Sequence, residues 1–309
     1  MKNLKKSSLT LMALGLCATS SFADLKLDSN LTINGFLDMS TVYTKPNVGK
    51  ATTTASFDQF EVDFMYKYGD HISARADINS TGDSLGTVKA EQAYATYTMG
   101  STSVSVGKFR SATGWESAEP TGTYQFSYNN SVMAYGGYIT GINAAYSAGM
   151  FGIYGALVTS EWYGDNDISS PGAEIQVSLM PVTGVTAKVA YLYEKVDAGN
   201  FNQQVINAWV SYVMGPMTLA VEYNMLKDFG AKGADANGGL ATAIYKFTDK
   251  VAGTVRYSTI KWKGAAKANS EVTVSPCYSI ASNWWVLAEA RRDIDAKITT
   301  GALETTFTF

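Results

Sequence analysis

The sequence predicts an all-β fold, a transmembrane antiparallel up-and-down barrel of about sixteen strands with short periplasmic turns and longer external loops. Three observations carry that expectation. Apolar and polar residues alternate with a period of two in run after run of about ten residues, the length of a tilted strand that crosses a bilayer. The connectors between runs are alternately short and long. Tyr and Phe gather at both ends of one strand face and leave an aliphatic band between them, as amphipathic rings do at the two headgroup levels.

In chain order, residues 1–23 read as a secretory signal peptide. Lys2, Lys5 and Lys6 precede an apolar run from Leu9 to Leu16, and small residues lead to Ala23, after which cleavage is expected. The apolar run is too short to span a bilayer as a helix. Cys17 follows Leu16, where a lipoprotein peptidase needs a small residue, which disfavours a lipid anchor. Residues 24–309 then form a single barrel domain without linker or low-complexity tract. Across the chain 27 acids oppose 24 bases, and three of those bases lie in the leader, so the balance disfavours nucleic acid as a partner. Cys277 is the only cysteine after the leader, which excludes an intramolecular disulfide. Hydrophobic residues make up 46% of the chain, yet no mature segment has the roughly 18 consecutive apolar residues of a spanning helix.

The strands themselves are clear. "GAEIQVSLM" sets Ala173, Ile175, Val177 and Leu179 against Glu174, Gln176 and Ser178. "VTAKVAYLYE" sets Val185, Ala187, Val189, Tyr191 and Tyr193 against Thr186, Lys188, Ala190, Leu192 and Glu194. "TLAVEYNM" and "VAGTVRYS" repeat the pattern, with Val221 and Val255 on the apolar face and Glu222 and Thr254 on the other. Short connectors fall at 69–70, 99–101, 148–150, 181–184, 214–217, 248–250 and 280–283. Longer ones fall at 45–55, 80–87, 110–131, 161–171, 195–204, 227–238 and 260–269, with a brief one near Asp293. Eight loops and seven turns join sixteen strands, and an even number returns both ends to one side. A soluble sandwich has no reason to alternate its connectors so regularly. Pro46, Pro120 and Pro171 lie in loops and Pro181 and Pro216 in turns, whereas Pro276 falls near the end of a strand, where it removes a ladder donor. At the far end Leu303, Thr305, Phe307 and Phe309 share the lipid face, and this strand is expected to pair with "LTINGFLDMS" so that no edge is left unpaired in lipid.

The stretch "KAEQAYATYTMGSTSVSVGKFRSATGWESAEP" resembles the OmpL-like β-barrel porin family of Gram-negative outer membranes. The matching segments are "EQAYATY" at 91–97, "GKF" at 107–109 and "GWE" at 114–116, with Thr113 where the family often has proline. The C-terminal Phe309 similarly resembles the assembly signal of outer-membrane proteins. These resemblances imply an outer-membrane porin, a water-filled channel for passive diffusion of small hydrophilic solutes or ions. Lipid and lipopolysaccharide of that membrane are the surroundings so implied, and general porins, which it resembles in plan, are trimers. No patch on the lipid face marks an interface.

The third external loop, 110–131, is the longest, and at this position it resembles the inward-folding constriction loop of general porins. It carries Glu116 and Glu119 with Trp115, Tyr124, Gln125 and Tyr128; Lys108 and Arg110 stand at its base, and Arg75 and Lys89 have lumen parity nearby. Opposed acids and bases across a narrow pore would screen solutes by charge and size. The plain alternative is a solvated surface loop, since loops normally run outside. On lumen parity acids outnumber bases, which predicts weak cation preference set mainly by Glu116 and Glu119. Small or polar lumen residues such as Thr186, Ala190, Ala220 and Ser258 favour water over a packed core, while Leu192 and Trp209 argue the other way. A closed or plugged barrel acting as adhesin, anchor or enzyme is the alternative function. No catalytic set is legible: His71 is the only histidine and sits beside a turn. "DNDISS" has Gln176 where a calcium loop would put its bidentate Glu, and no cofactor or metal is expected.

Overall fold

The structure is a computed structural model that describes residues 25–26, 29–82, 88–117, 119–162 and 169–309. The signal-peptide segment and "DNDISS" therefore lie largely outside the described residues.

Residues with period-two alternation become strands because each strand shows its two residue sets to opposite faces. A two-residue strand, β1 (Leu25–Lys26), pairs with the start of β2 (Leu31–Lys45). The chain then passes through β3 (Thr52–Tyr68), β4 (Ile72–Thr81), β5 (Val88–Met99), β6 (Thr102–Arg110), β7 (Tyr138–Ala148), β8 (Phe151–Val158) and β9 (Gly172–Leu179). It continues through β10 (Val185–Val196), β11 (Phe201–Met214), β12 (Met217–Lys227), β13 (Ala236–Lys246), β14 (Val251–Trp262), β15 (Asn269–Ala281), β16 (Trp284–Asp293) and β17 (Thr299–Thr308). Each of β2 to β17 pairs antiparallel with its neighbours in sequence, and β17 pairs with β2 from Thr299 opposite Lys45 to Thr308 opposite Phe36. The barrel of sixteen strands is closed and has almost no helix. No helix among the described residues is long and apolar enough to cross a membrane. Gly35 and Phe309 exchange two backbone hydrogen bonds of 3.0 Å at the seam. A Cβ at position 35 would lie 2.2 Å from the Glu61 carbonyl oxygen and 2.7 Å from the Phe309 ring, so only glycine lets the seam close.

All seven short turns stand where the alternation breaks. The loops differ in detail. The third loop is longer than expected, 111–137, because pairing resumes only where Tyr138 meets Arg110, after Gly136 and Gly137. The expected 195–204 loop shrinks to the turn Asp197–Gly199 with Asn200 in the left-handed region (φ 48°). Pro276 stays within β15, opposite Gly253, and the β15–β16 ladder skips from Val274–Ala290 to Cys277–Leu287 around it.

Three β-bulges interrupt the ladders; one, between Ser279 and Ala281, lies at the end of β15, and the other two change the parity count of β3 and β5. Asp58 is an extra residue of β3 between the pairs Asp38–Gln59 and Met39–Phe57, and Glu91 is an extra residue of β5 between Asp77–Gln92 and Ile78–Ala90. Beyond Glu91 the inward set is therefore Gln92, Tyr94 and Thr96, and Tyr97 is outward and exposed.

The two faces differ sharply in exposure. Val177, Val221 and Val255 are 46%, 55% and 53% exposed, whereas Gln176, Glu222 and Thr254 are 7%, 3% and 2%. The second set is covered from within, which corrects the expectation of an open lumen wall there. Ala134 of the third loop packs with Ala190, Leu192, Val205, Leu226 and Ile260 in a dry cluster on the inner face of β10 to β14. With Cys277 replaced, cysteines at Val177, Val221 or Val255 are expected to resist a water-soluble thiol reagent in membranes. A cysteine at the exposed inner position Lys67 is expected to react. Equal labelling of both sets would reject this register.

Candidate functional site

The third loop cannot continue either ladder. Gly114 holds φ +88°, Pro120 opens a single helical turn at Pro120–Gly122, and a second turn occupies Val132–Ala134. Freed from the sheet, the loop's backbone groups need partners elsewhere, and they find them on the inner wall. The Ser111 hydroxyl and the Ala112 N–H donate to Glu174 of β9 (2.6 and 3.3 Å). The Gly114 N–H donates to Asn207 Oδ1 of β11 (3.3 Å) and the Trp115 N–H to Glu222 Oε2 of β12 (2.6 Å). Tyr135, near the loop's end, donates its hydroxyl to Glu222 Oε1 (2.7 Å). These parts of the loop are thus fastened to the barrel's inner wall.

Its centre is an ion pair. Glu116 Oε1 is 2.6 Å from Arg256 Nη1 of β14, and the two side chains are 1% and 0% exposed. Gln125 donates to Glu116 Oε1 (2.9 Å), and Asn129 donates to Oε2 through its backbone (3.0 Å) and its amide (2.8 Å). Arg256 also donates to the Ser127 and Tyr128 carbonyls (2.7 and 3.1 Å). The Trp115 and Tyr124 rings stack at 5.8 Å, and the Ser127 N–H reaches Glu289 Oε2 of β16 (3.0 Å).

The loop's other side is acidic. Glu119 accepts from Gln59 of β3 (3.2 Å) and from the Tyr138 hydroxyl. Burial raises the Glu119 carboxyl above the usual carboxylate range and Glu91 adds to it, while Tyr138, Arg110 and Gln59 pull against the shift. The carboxylate oxygens of Glu61, Glu91 and Glu119 lie within 4.8 Å of one another, as do those of Glu61, Asp63 and Asp77. Arg75 pairs with Asp63 (3.1 Å) and Asp77 (2.7 Å). Between the loop and the inner faces of β2, β3 and β15 to β17 remains a cavity of about 530 Å³.

The predicted residues divide accordingly. Glu116, Glu119 and Arg75 are brought to the loop and the wall around it, and Arg110 lies near enough to Glu119 to act on its charge. Lys108 is not: it has the outward parity of Val104 and Val106, and its ammonium donates to the Ala90 carbonyl (3.0 Å). Lys108 thus stands at the loop's root but on the outer face, because β6 alternates without a break through Val104 and Val106. Lys89 stands exposed at the outer end of β5, opposite Asn79. His71 is exposed, with Nδ1 2.9 Å from the Thr98 carbonyl oxygen. Arg256, Glu222 and Glu174, which fasten the loop, were legible only as inward charges; nothing local joins them to loop partners more than sixty positions away.

The family described as "Putative beta-barrel porin-2, OmpL-like" matches residues 28–309. No curated protein matches the chain by sequence. Among solved structures, the outer membrane channel DcaP of Acinetobacter baumannii superposes with a TM-score of 0.67 at 14% identity, over 90% of this chain and 97% of that one. Outer-membrane expressed OmpT of Vibrio cholerae gives 0.66 at 15% identity, over 93% and 100% of the two chains. A mutant of the Rh. blastica porin gives 0.66 at 17%, over 90% and 100%. At these identities the likeness is one of fold.

Proposed function

The chain belongs to the OmpL-like β-barrel porin family, and from that premise we propose that this outer-membrane barrel is a passive, non-enzymatic channel for small hydrophilic solutes, narrowed by its third loop. The observation that carries the reading is the loop's one-sided fastening. It is tied to β9, β11, β12 and β14, and it leaves the cavity against β2, β3 and β15 to β17. A barrel of this strand number encloses an aqueous lumen, and a loop held to one wall narrows it without filling it. The acids bordering the passage exceed the bases, and Arg75 is already paired with Asp63 and Asp77. Glu116 is neutralised by Arg256, so the loop's contribution to the field comes from Glu119. Weak cation preference follows, because charges at a constriction outweigh those in a wide vestibule beyond the Debye length of about 8 Å.

Recordings on purified protein in planar bilayers test both statements. Stable conductance steps are expected, with a cation-signed reversal potential in a salt gradient that shrinks in Glu119→Gln. Glu116→Gln is expected to act through the loop's position instead, changing conductance more than selectivity. Anion preference in the native protein would overturn the charge argument. The number of loop-to-wall bonds favours a second reading, a plugged barrel serving as anchor or adhesin; absence of conductance steps at every voltage would select it.

A further inference from the structure

We propose that the cavity beside the third loop is a binding site for linear aliphatic polyamines, which deepens the channel reading by naming a solute class. Four carboxylates line it, Asp38, Asp58, Glu271 and Glu304, against one base, Arg291. Arg291 is only loosely engaged, 4.0 Å from Glu271 Oε1. Asp38 is 3% exposed, its Oδ1 is buried, and no donor reaches it. The charged groups that act on it are further acids, Asp58 and Glu119. Glu304 is 5% exposed, and the charged groups that act on it are again acids, Asp38, Asp58 and Glu289. Asp58 Oδ2 and Glu271 Oε2 are likewise buried without a donor.

Buried carboxylate oxygens are stabilised by several N–H donors carrying positive charge. The spacing discriminates among cations. The carboxylate groups whose oxygens close to within 4.8 Å of one another, among the described residues, are on β3, β4, β5 and the loop, and none includes a lining residue of this cavity. A single metal ion gathers its oxygens at about 2.0–2.6 Å, so it cannot engage these four together. A chain of ammonium groups separated by methylenes can. The loop supplies the matching apolar wall, with Phe126, Tyr128 and Pro120 lining the same cavity, where methylene stems lie against rings and ammonium groups over their faces. The cavity, about 530 Å³, has the size of an ordinary small-ligand site.

Calorimetric titration of the folded protein in detergent with spermidine tests the site whether or not the barrel conducts. Saturable binding is expected, and putrescine is expected to bind more tightly than Mg²⁺ of the same charge. Asp38→Asn and Glu304→Gln should each weaken spermidine by about tenfold, the equivalent of about 1.4 kcal/mol. Glu271→Gln serves where Asp38→Asn does not fold, with folding read from heat-modifiable gel migration. No binding, affinity unchanged in the variants, or Mg²⁺ binding as well as putrescine would overturn the proposal. A missing conductance step would instead overturn the channel reading alone.

Discussion

Arg256→Ala is expected to destabilise the barrel by about 3–5 kcal/mol, the usual consequence of stranding one partner of a buried ion pair. Glu116 would keep Gln125 and Asn129 as donors but lose its paired cation. The Ser127 and Tyr128 carbonyls would lose their donors as well, so the middle of the third loop would detach from β14. Replacing both partners with neutral residues of similar volume, Arg256→Met with Glu116→Gln, is expected to cost much less, because no charge is left unpaired. Denaturant unfolding in micelles reads the stability, and single-channel conductance reads the loop. Conductance should rise and become noisier in Arg256→Ala. If the single substitution costs no more than the double one, the pair is not what holds the loop.

That outcome bears on how one loop does two jobs. Glu116 and Glu119 are three residues apart and chemically alike, yet Glu116 is locked to β14 while Glu119 faces the carboxylates of β3 and β5. Glu119 stands directly before the turn Pro120–Gly122, so Glu116 fastens the loop while Glu119 meets the acids of the opposite wall. The bulges of β3 and β5 serve the same end. Each places its extra residue, Asp58 or Glu91, among the acids around the loop, as bulges near functional sites re-aim side chains.

The strand plan was legible because membrane strands must alternate and their connectors must differ by side; Val177 against Gln176 and Val255 against Thr254 follow from period two alone. Closure through β17 and β2 followed from the need to leave no edge. The bulges were not legible, since "AEQAYATY" alternates acceptably in either register. Trp115, Tyr124 and the two glutamates marked the third loop as more than a connector. Its docking partners were hidden because Arg256, Glu222 and Glu174 meet it only after the barrel closes. The dry cluster of Leu192, Val205 and Ile260 was half visible: Leu192 had inward parity, but its partner Ala134 lay in a segment that reads as strand.

Stability is expected to fall as pH rises through the neutral range, and Glu161→Gln is expected to remove that residue's share of the slope. Glu161 lies in the loop after β8, 1% exposed, with neither carboxylate oxygen hydrogen-bonded. Its own N–H and the Ser160 hydroxyl go instead to Glu194 Oε1. The end of the third loop closes over it; a Cβ at Gly136 would lie 3.2 Å from Glu161 Oε2 and 2.5 Å from the Ser111 hydroxyl. Burial, then the nearby Glu174 and Glu194 carboxylates, push its carboxyl up from 4.5 to about 9. Between those values the folded state holds a proton that the unfolded state has released. The stabilisation is therefore complete below 4.5 and is lost as pH rises toward about 9, at up to about 1.4 kcal/mol per pH unit for a single group. Gln at this position is neutral at every pH and nearly isosteric, so it keeps the packing under Gly136 and drops the proton linkage. Thermal unfolding across this range, compared between the native protein and Glu161→Gln, isolates the effect from the other acids. The variant should gain stability relative to the native protein as pH rises, and conductance at alkaline pH should drift only in the native protein as the root of the third loop loosens. Parallel pH profiles for the two proteins would show that Glu161 ionises without resistance and that the loop's root is held by Glu174 and Ser111 alone.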